Sequence, residues 1–240
     1  MSHLSLRDET GQTLPELMIA TVIGLIVVFA AVLALQTSIT QSSEVQSRED
    51  ASQRGRIALE QMTRELRAQT CLPLTTMQAP IVTGTDNSIT FYSDLTGGKQ
   101  PPMKRTLTYV PPSPSGPGSP PGKIIEQDFP GSAPPPATTY PATPARTITL
   151  LDRVVPIAPN APVFQYFQFA ATGTPGLDPT PLTTPLSVVD AAQAVDVKVS
   201  FLARGTGSAN ANPNAYGSTF QVDVYTRSAD PANPTQGVNC

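Results

Sequence analysis

The sequence predicts an α+β fold: a long N-terminal helix, half membrane anchor and half amphipathic, packed on an antiparallel β-sheet head with long Pro/Gly/Ser-rich loops. Three observations carry this. Of the 27 prolines in the 240 residues, Pro15 alone precedes position 73. That proline-poor segment holds an uncharged apolar run followed by a charge-rich polar stretch. Beyond it, short stretches of alternating apolar and polar residues are separated by Pro, Gly and Ser.

Residues 17–35 are 19 positions without a charge. At about 1.5 Å per helical residue they span roughly 28 Å, close to the ~30 Å hydrocarbon core of a bilayer. A secretory signal has an apolar region of only ~7–15 residues behind a cationic front, and ends in a small-residue cleavage site. Here the front is Arg7-Asp8-Glu9 and no A-x-A triplet lies near Ala34, so the segment fits an anchor better. Residues 37–72 then carry five arginines (Arg48, Arg54, Arg56, Arg64, Arg67) and five acids (Glu44, Glu49, Asp50, Glu60, Glu65). Within them Leu59, Met62 and Leu66, with Ala58 beside them, form one narrow apolar stripe at helical spacing. Pairs such as Glu60 with Arg64 would decorate the exposed face for only ~0.2–0.5 kcal/mol each. A continuous helix over 14–68 is expected, roughly 80 Å long, with Gly24 and Gly55 as weak points costing ~1 kcal/mol each relative to Ala.

Alternation predicts two half-buried C-terminal strands, one through Val195, Val197, Val199 and Phe201 and one through Phe220, Val222 and Val224. They are expected to pair as an antiparallel hairpin across the loop 205–217. Earlier strands are expected at 88–92, 105–110, 123–127, 147–155 and 163–169, with a bulge where the apolar phase shifts at Tyr166-Phe167. Residues 111–122 are all Pro, Ser or Gly and read as a stiff hairpin loop, as do Pro134-Pro135-Pro136 and Pro141.

Composition narrows the function. Charged residues are 14% of the chain, against roughly 25% in an average soluble domain, which suits an extracytoplasmic protein. The net charge is −3 and no Lys/Arg run tracks phosphates, so no nucleic-acid partner is expected. The single histidine is His3, which leaves little for triad catalysis or an ordinary zinc site. No metal and no cofactor are expected, and no D-x-D-x-D-G calcium loop is present. Asp86, Asp94 and Asp128 could in principle do acid/base chemistry, yet they sit in turn-like contexts where Asp is common anyway. No enzymatic activity and no catalytic residue are expected. Cys71 and Cys240 are the two cysteines. A bridge between them in an oxidising compartment would pin the C-terminus to the end of the helix and stabilise by up to ~5 kcal/mol, and two free thiols are the alternative.

The residues just before the apolar run are the most specific signal: Gly11-Gln12-Thr13-Leu14-Pro15-Glu16-Leu17. Gly11 provides a small residue and an extended backbone. Thr13-x-x-Glu16 also reads as a capping box with Pro15 tolerated in the first turn. A carboxylate at the mouth of a membrane helix costs a few kcal/mol and calls for a partner. Through Gly11, Thr13, Leu14, Glu16 and Leu17, the stretch resembles the class III signal of type IV prepilins and of the pseudopilins of type II secretion, with Gln12 where Phe is common. The stalk residues 56–67, the stretch 88–94 and the closing Val224-Tyr225-Thr226-Arg227 are similar, more loosely, to larger minor pilins of the PilW kind and to the J-type minor pseudopilin.

The resemblance implies a leader, 1–11, removed by a prepilin peptidase between Gly11 and Gln12, with methylation of the new Gln12 amine. It implies a transmembrane and assembly helix at 12–36, an amphipathic stalk at 37–72 and a β-rich head at 73–240. The protein would be a minor pilin or pseudopilin, a non-catalytic subunit of a type IV pilus or type II secretion-like filament. Its partners would be the prepilin peptidase, other pilin or pseudopilin subunits, the inner-membrane assembly platform and the membrane. Glu16 would face the N-terminal amine of a neighbouring subunit. The chain would be a single-pass cytoplasmic-membrane protein with its head outside the cytoplasm, reaching the cell surface or filament after assembly. The alternative is a membrane-anchored extracellular adhesin or binding module that does not polymerise.

Overall fold

The computed structural model describes residues 13–74, 77–113, 121–169, 179–205 and 217–226. In chain order they form α1 (Leu14–Arg67), β1 (Leu72–Pro73), β2 (Met77–Gln78), β3 (Ile81–Thr85), β4 (Ser88–Ser93), β5 (Met103–Val110), β6 (Gly122–Phe129), β7 (Arg146–Val155), β8 (Phe164–Gln168), β9 (Thr180–Pro181), α2 (Val188–Gln193), β10 (Asp196–Arg204) and β11 (Gly217–Tyr225). The chain divides into two compact units, Met1–Gln46 and Ser47–Cys240. This is the expected α+β architecture, a long apolar helix followed by an antiparallel sheet that carries the helix's second half.

In the first unit, the described part of α1 is exposed throughout. The bonds that open the helix are backbone ones, from the Glu16 and Leu17 amides to the Thr13 carbonyl at 2.9 and 3.2 Å. The reciprocal side-chain bonds of a Thr13–Glu16 capping box are absent among the described residues. Such a box does form at Ser187 and Asp190, where it starts α2. Further along α1, Thr21, Thr37, Thr40 and Ser43 turn their hydroxyls back onto carbonyls three or four residues earlier. Each hydroxyl is thereby satisfied within the helix.

In the second unit, α1 buries Ser47, Ala51, Gly55, Ala58, Met62, Glu65 and Leu66. That face starts earlier than the expected stripe and is built largely from small residues. Leu59 is only partly buried at its margin. Gly55 is no weak point here, because a methyl group on it would overlap the ring of Phe220. That ring stacks on Phe201 with centroids 5.5 Å apart. The Glu60–Arg64 pair does not form, whereas Asp50 and Arg54 pair at 2.9 Å and Arg54 reaches Asp152 of β7 at 2.5 Å. The helix ends as the Ala68 amide bonds to Arg64 and Glu65 carbonyls. The chain then joins β4, with Asp94 N–H donating to Ala68 and Thr70 N–H donating to Tyr92.

The main sheet runs β3-β4-β5-β6-β7-β10-β8-β9, with β11 on β10, and all its pairings are antiparallel. β10 is its hub. It pairs with β11 along its whole length, from Asp196↔Tyr225 to Arg204↔Gly217. Its other edge is shared between β8 at Asp196 to Val199 and β7 at Leu202 and Ala203. The predicted hairpin is therefore present, but β10 is a central strand buried on both faces instead of half-buried. The bulge expected at Tyr166-Phe167 is absent, since the β8–β10 register runs without a shift. Phe167 is simply half-buried on the face opposite Tyr166. Register shifts occur instead in β3–β4 and β6–β7.

The sheet curls into a half-barrel whose concave side holds Ala58, Met62 and Leu66 against Phe91, Leu107, Ile124, Phe164, Val199 and Phe201. Its curl is fixed where the β3–β4 turn meets β8. The Tyr166 hydroxyl donates to the Thr85 and Ser88 carbonyls, and the Val163 and Phe164 amides donate to the Asp86 carbonyl.

Gly55→Ala should lower the midpoint of urea unfolding. Overpacking against a ring held by Phe201 costs about 1–3 kcal/mol, more than the ~1 kcal/mol gained in helix propensity. An unchanged or raised midpoint would mean that Phe220 has room to move.

Candidate functional site

Two regions carry groups that need an explanation beyond packing. The first is the exposed start of α1. An 18-residue window of it reaches a mean hydropathy of 2.9 with none of it buried. Leu14, Leu17, Met18, Ile19, Val22 and Ile23 are each more than half exposed. An apolar surface of this length is costly in water and is that of a segment able to cross a membrane. All backbone groups inside it are satisfied by the helix itself, the condition for entering an apolar medium. Glu16 stands in the first turn with its side chain exposed and without an ion pair among the described residues. Gly11, Gln12 and Cys240 lie outside the described residues. Cys71 lies within them and is disulfide-bonded.

The second region is a buried polar cluster between the stalk half of α1 and the sheet. Arg105 on β5 faces three carboxylates: its Nη1 lies 3.2 Å from Glu65 Oε1 and 3.3 Å from Asp128 Oδ1, and it also pairs closely with Glu126. Gln61 Nε2 donates to Glu65 Oε1 at 3.2 Å and to Glu126 Oε2 at 3.0 Å. Local structure explains the convergence. Glu126 and Asp128 share the inward face of β6 with Ile124, Arg105 is the cross-strand neighbour of Asp128, and Glu65 sits beside Leu66 on the buried helix face.

One guanidinium cannot neutralise three buried carboxylates. Burial, reinforced by the Glu65 charge and opposed by Arg105, pushes Glu126 up to about 8. Burial also pushes Glu65 above its ordinary value, against the attraction of Arg105 and the hydrogen bond from Gln61. The cluster therefore retains a proton at neutral pH. Covered by the helix, it is suited to holding α1 on the sheet and not to receiving a substrate. Asp196, on the hub strand, is pushed up to about 6 by burial and by Asp223.

The three aspartates singled out in the sequence have separate settings. Asp128 belongs to the Arg105 cluster. Asp94 closes a turn, its oxygens accepting the Thr96 amide and hydroxyl and the Gly98 amide at 2.7–2.8 Å. Burial pushes its carboxyl up, but these bonds outweigh burial and hold it below its ordinary value. Asp86 accepts the Thr184 hydroxyl where the sheet curls. Each has a structural task in a loop or an anchor. Among the described residues no group of three or more His, Cys, Asp or Glu is arranged to hold a metal ion. No family model and no curated protein matches the chain.

Arg105, Glu65, Glu126 and Gln61 were not singled out by the sequence. The only signal was parity, which placed Glu126 and Asp128 on one face with Ile124, but Ile125 on the other face made the inward side ambiguous.

The raised carboxyls set the direction of pH dependence. Between about pH 4.5 and 8 the unfolded chain has released a proton that Glu126 still holds in the folded state, so stability falls as pH rises through this window, and the raised Glu65 carboxyl acts in the same direction. Asp196 acts in the same direction from its ordinary range up to about 6. The urea midpoint should therefore fall between pH 5 and pH 9. Glu126→Gln should flatten that fall and leave the protein at pH 9 as stable as the parent or more so. A parent midpoint that rises over this interval would contradict the proposed charge state.

Proposed function

We propose that the chain is a minor pilin or pseudopilin, a non-catalytic subunit that assembles into a type IV pilus or type II secretion-like filament through the first part of α1 and displays its sheet outside the cytoplasm. The observation that carries the reading is the wholly exposed apolar stretch at the start of α1, entered through Gly11-Gln12-Thr13-Leu14-Pro15-Glu16. In this reading a prepilin peptidase cuts between Gly11 and Gln12, ahead of the apolar run, so the mature protein keeps its helix. The helix first rests in the cytoplasmic membrane, positioned by the assembly platform, then moves into a filament core made of like helices.

Both environments are apolar, so the transfer exchanges lipid contacts for helix contacts at little cost in hydration. The Glu16 carboxylate is costly in either place when unpaired. Pairing with the amine of Gln12 on a neighbouring subunit would relieve that cost and favour assembly over lateral escape. The bonded state of Cys71 supports an oxidising compartment for the head, with Cys240, the other cysteine, as the proposed partner.

The mass of the N-terminal peptide, from protein purified out of the membrane or sheared-filament fraction of its own host, tests this directly. A start at Gln12 bearing one methyl is expected. A start at Met1 would leave a plain anchor and favour a non-polymerising adhesin or binding module, and a start beyond Leu35 would make the segment a secretory signal.

A further inference from the structure

The stalk half of α1 and the last strand flank an open groove of about 730 Å³, lined by Arg56, Leu59, Glu60, Arg64, Arg67 and Val222. Positions 56, 60, 64 and 67 follow one another at spacings of four and three, so their side chains rise from one face of the helix. Arg56, Glu60, Arg64 and Arg67 are exposed, and none forms an ion pair among the described residues. Three cations and one anion make the groove locally positive on a chain whose net charge is −3.

Among the described residues the neighbouring strand edge is open: β11 pairs there with β10 alone. The Thr226 amide, one residue past β11, donates to Val195 at 2.8 Å and fixes the parity of the strand. The main-chain groups of Phe220, Val222 and Val224 point toward β10, and those of Thr219, Gln221 and Asp223 point outward. These outward groups have no hydrogen-bond partner among the described residues. On the helix side of the same strand, Phe220 packs over Gly55 and Val222 forms part of the groove floor.

We propose that the open edge of β11 and the arginine-lined groove together bind an extended acidic segment of a partner protein as an added strand. Its main chain would bond the outward groups of Thr219, Gln221 and Asp223. Its side chains at alternate positions, on the helix side, would be carboxylates meeting Arg56, Arg64 and Arg67. The free edge calls for an extended peptide, because only a strand repeats N–H and C=O groups at that interval. The unpaired arginines call for carboxylates, which guanidinium groups bind with two parallel hydrogen bonds. Leu59 and Val222 give the floor an apolar contact. The proposal does not depend on the filament reading.

The test uses the full-length chain in non-ionic detergent and a fluorescent peptide of alternating Glu and Val, followed by anisotropy at low salt. Saturable binding is expected, weakened about tenfold or more by Arg64→Glu combined with Arg67→Glu. Because both side chains are exposed and unpaired, the urea midpoint should be unchanged in that variant. The same peptide N-methylated at alternate residues, so that it cannot bond a strand edge, should lose binding to a similar degree. Absence of binding would overturn the proposal. So would binding that ignores N-methylation, or an oligonucleotide that binds equally well and loses binding in the same variant, since either reduces the groove to a general anion site.

Discussion

The fold of the second unit depends on one constraint: a helix must lie close enough to a curled sheet to close its concave side. Small residues make this possible. Ala51, Gly55 and Ala58 hold the helix surface low, so that Phe220 packs over the backbone at Gly55, and Met62 and Leu66 then fill the space between helix and sheet. Close packing of this kind tolerates neither an added methylene nor a missing one cheaply. The hub position of β10 follows from the same geometry, because its two edges gather β7, β8 and β11 beneath the helix.

The Arg105 cluster adds direction to this packing. Buried ion pairs are weak evidence for stability, because desolvation offsets much of their attraction. Their effect here is on register. Glu65 finds Arg105, and Gln61 finds Glu126, only where the helix now lies, and a slip of one turn would leave the buried Glu65 carboxylate without the guanidinium. The excess of carboxylates over cations is tolerated because Glu126 keeps its proton. That links the seating of the helix to pH without involving the exposed half of α1.

Much of the architecture was legible in the sequence, and the reasons are local. The extent of α1 follows from the absence of proline between Pro15 and Pro73, and the hairpin of β10 and β11 follows from alternating β-branched and polar residues. The buried helix face was only half legible, since Ala51 and Gly55 do not register as apolar anchors although their smallness is what the packing uses. β3 was missed because Gly84 occupies one of its two inward positions, and a Gly there makes room for Tyr166 and Leu186. β10 read as half-buried because Asp196, Lys198 and Ser200 looked like a solvent face, yet two of these three are buried. The candidate assembly segment could be read directly, because its signal is composition and order, not tertiary contact. The Arg105 cluster could not, because it joins Gln61 and Glu65 of the helix to strand residues 40 or more positions further along, and their meeting depends on where the helix crosses the sheet.

One helix therefore has two characters: its first part is exposed, apolar and long enough to cross a membrane, and its second part packs against the interior of a β-sheet. The central claim is that residues 51–66 belong to the core of the head and are not a solvated linker. Native-state hydrogen exchange on the full chain in detergent tests it most directly. Amides of Ala58, Met62 and Leu66 should exchange only through the same global opening as Val197, Val199 and Phe201 of β10, with matching free energies and matching denaturant dependence. Exchange of the helix amides through a separate, lower-energy opening while β10 stays protected would contradict the account.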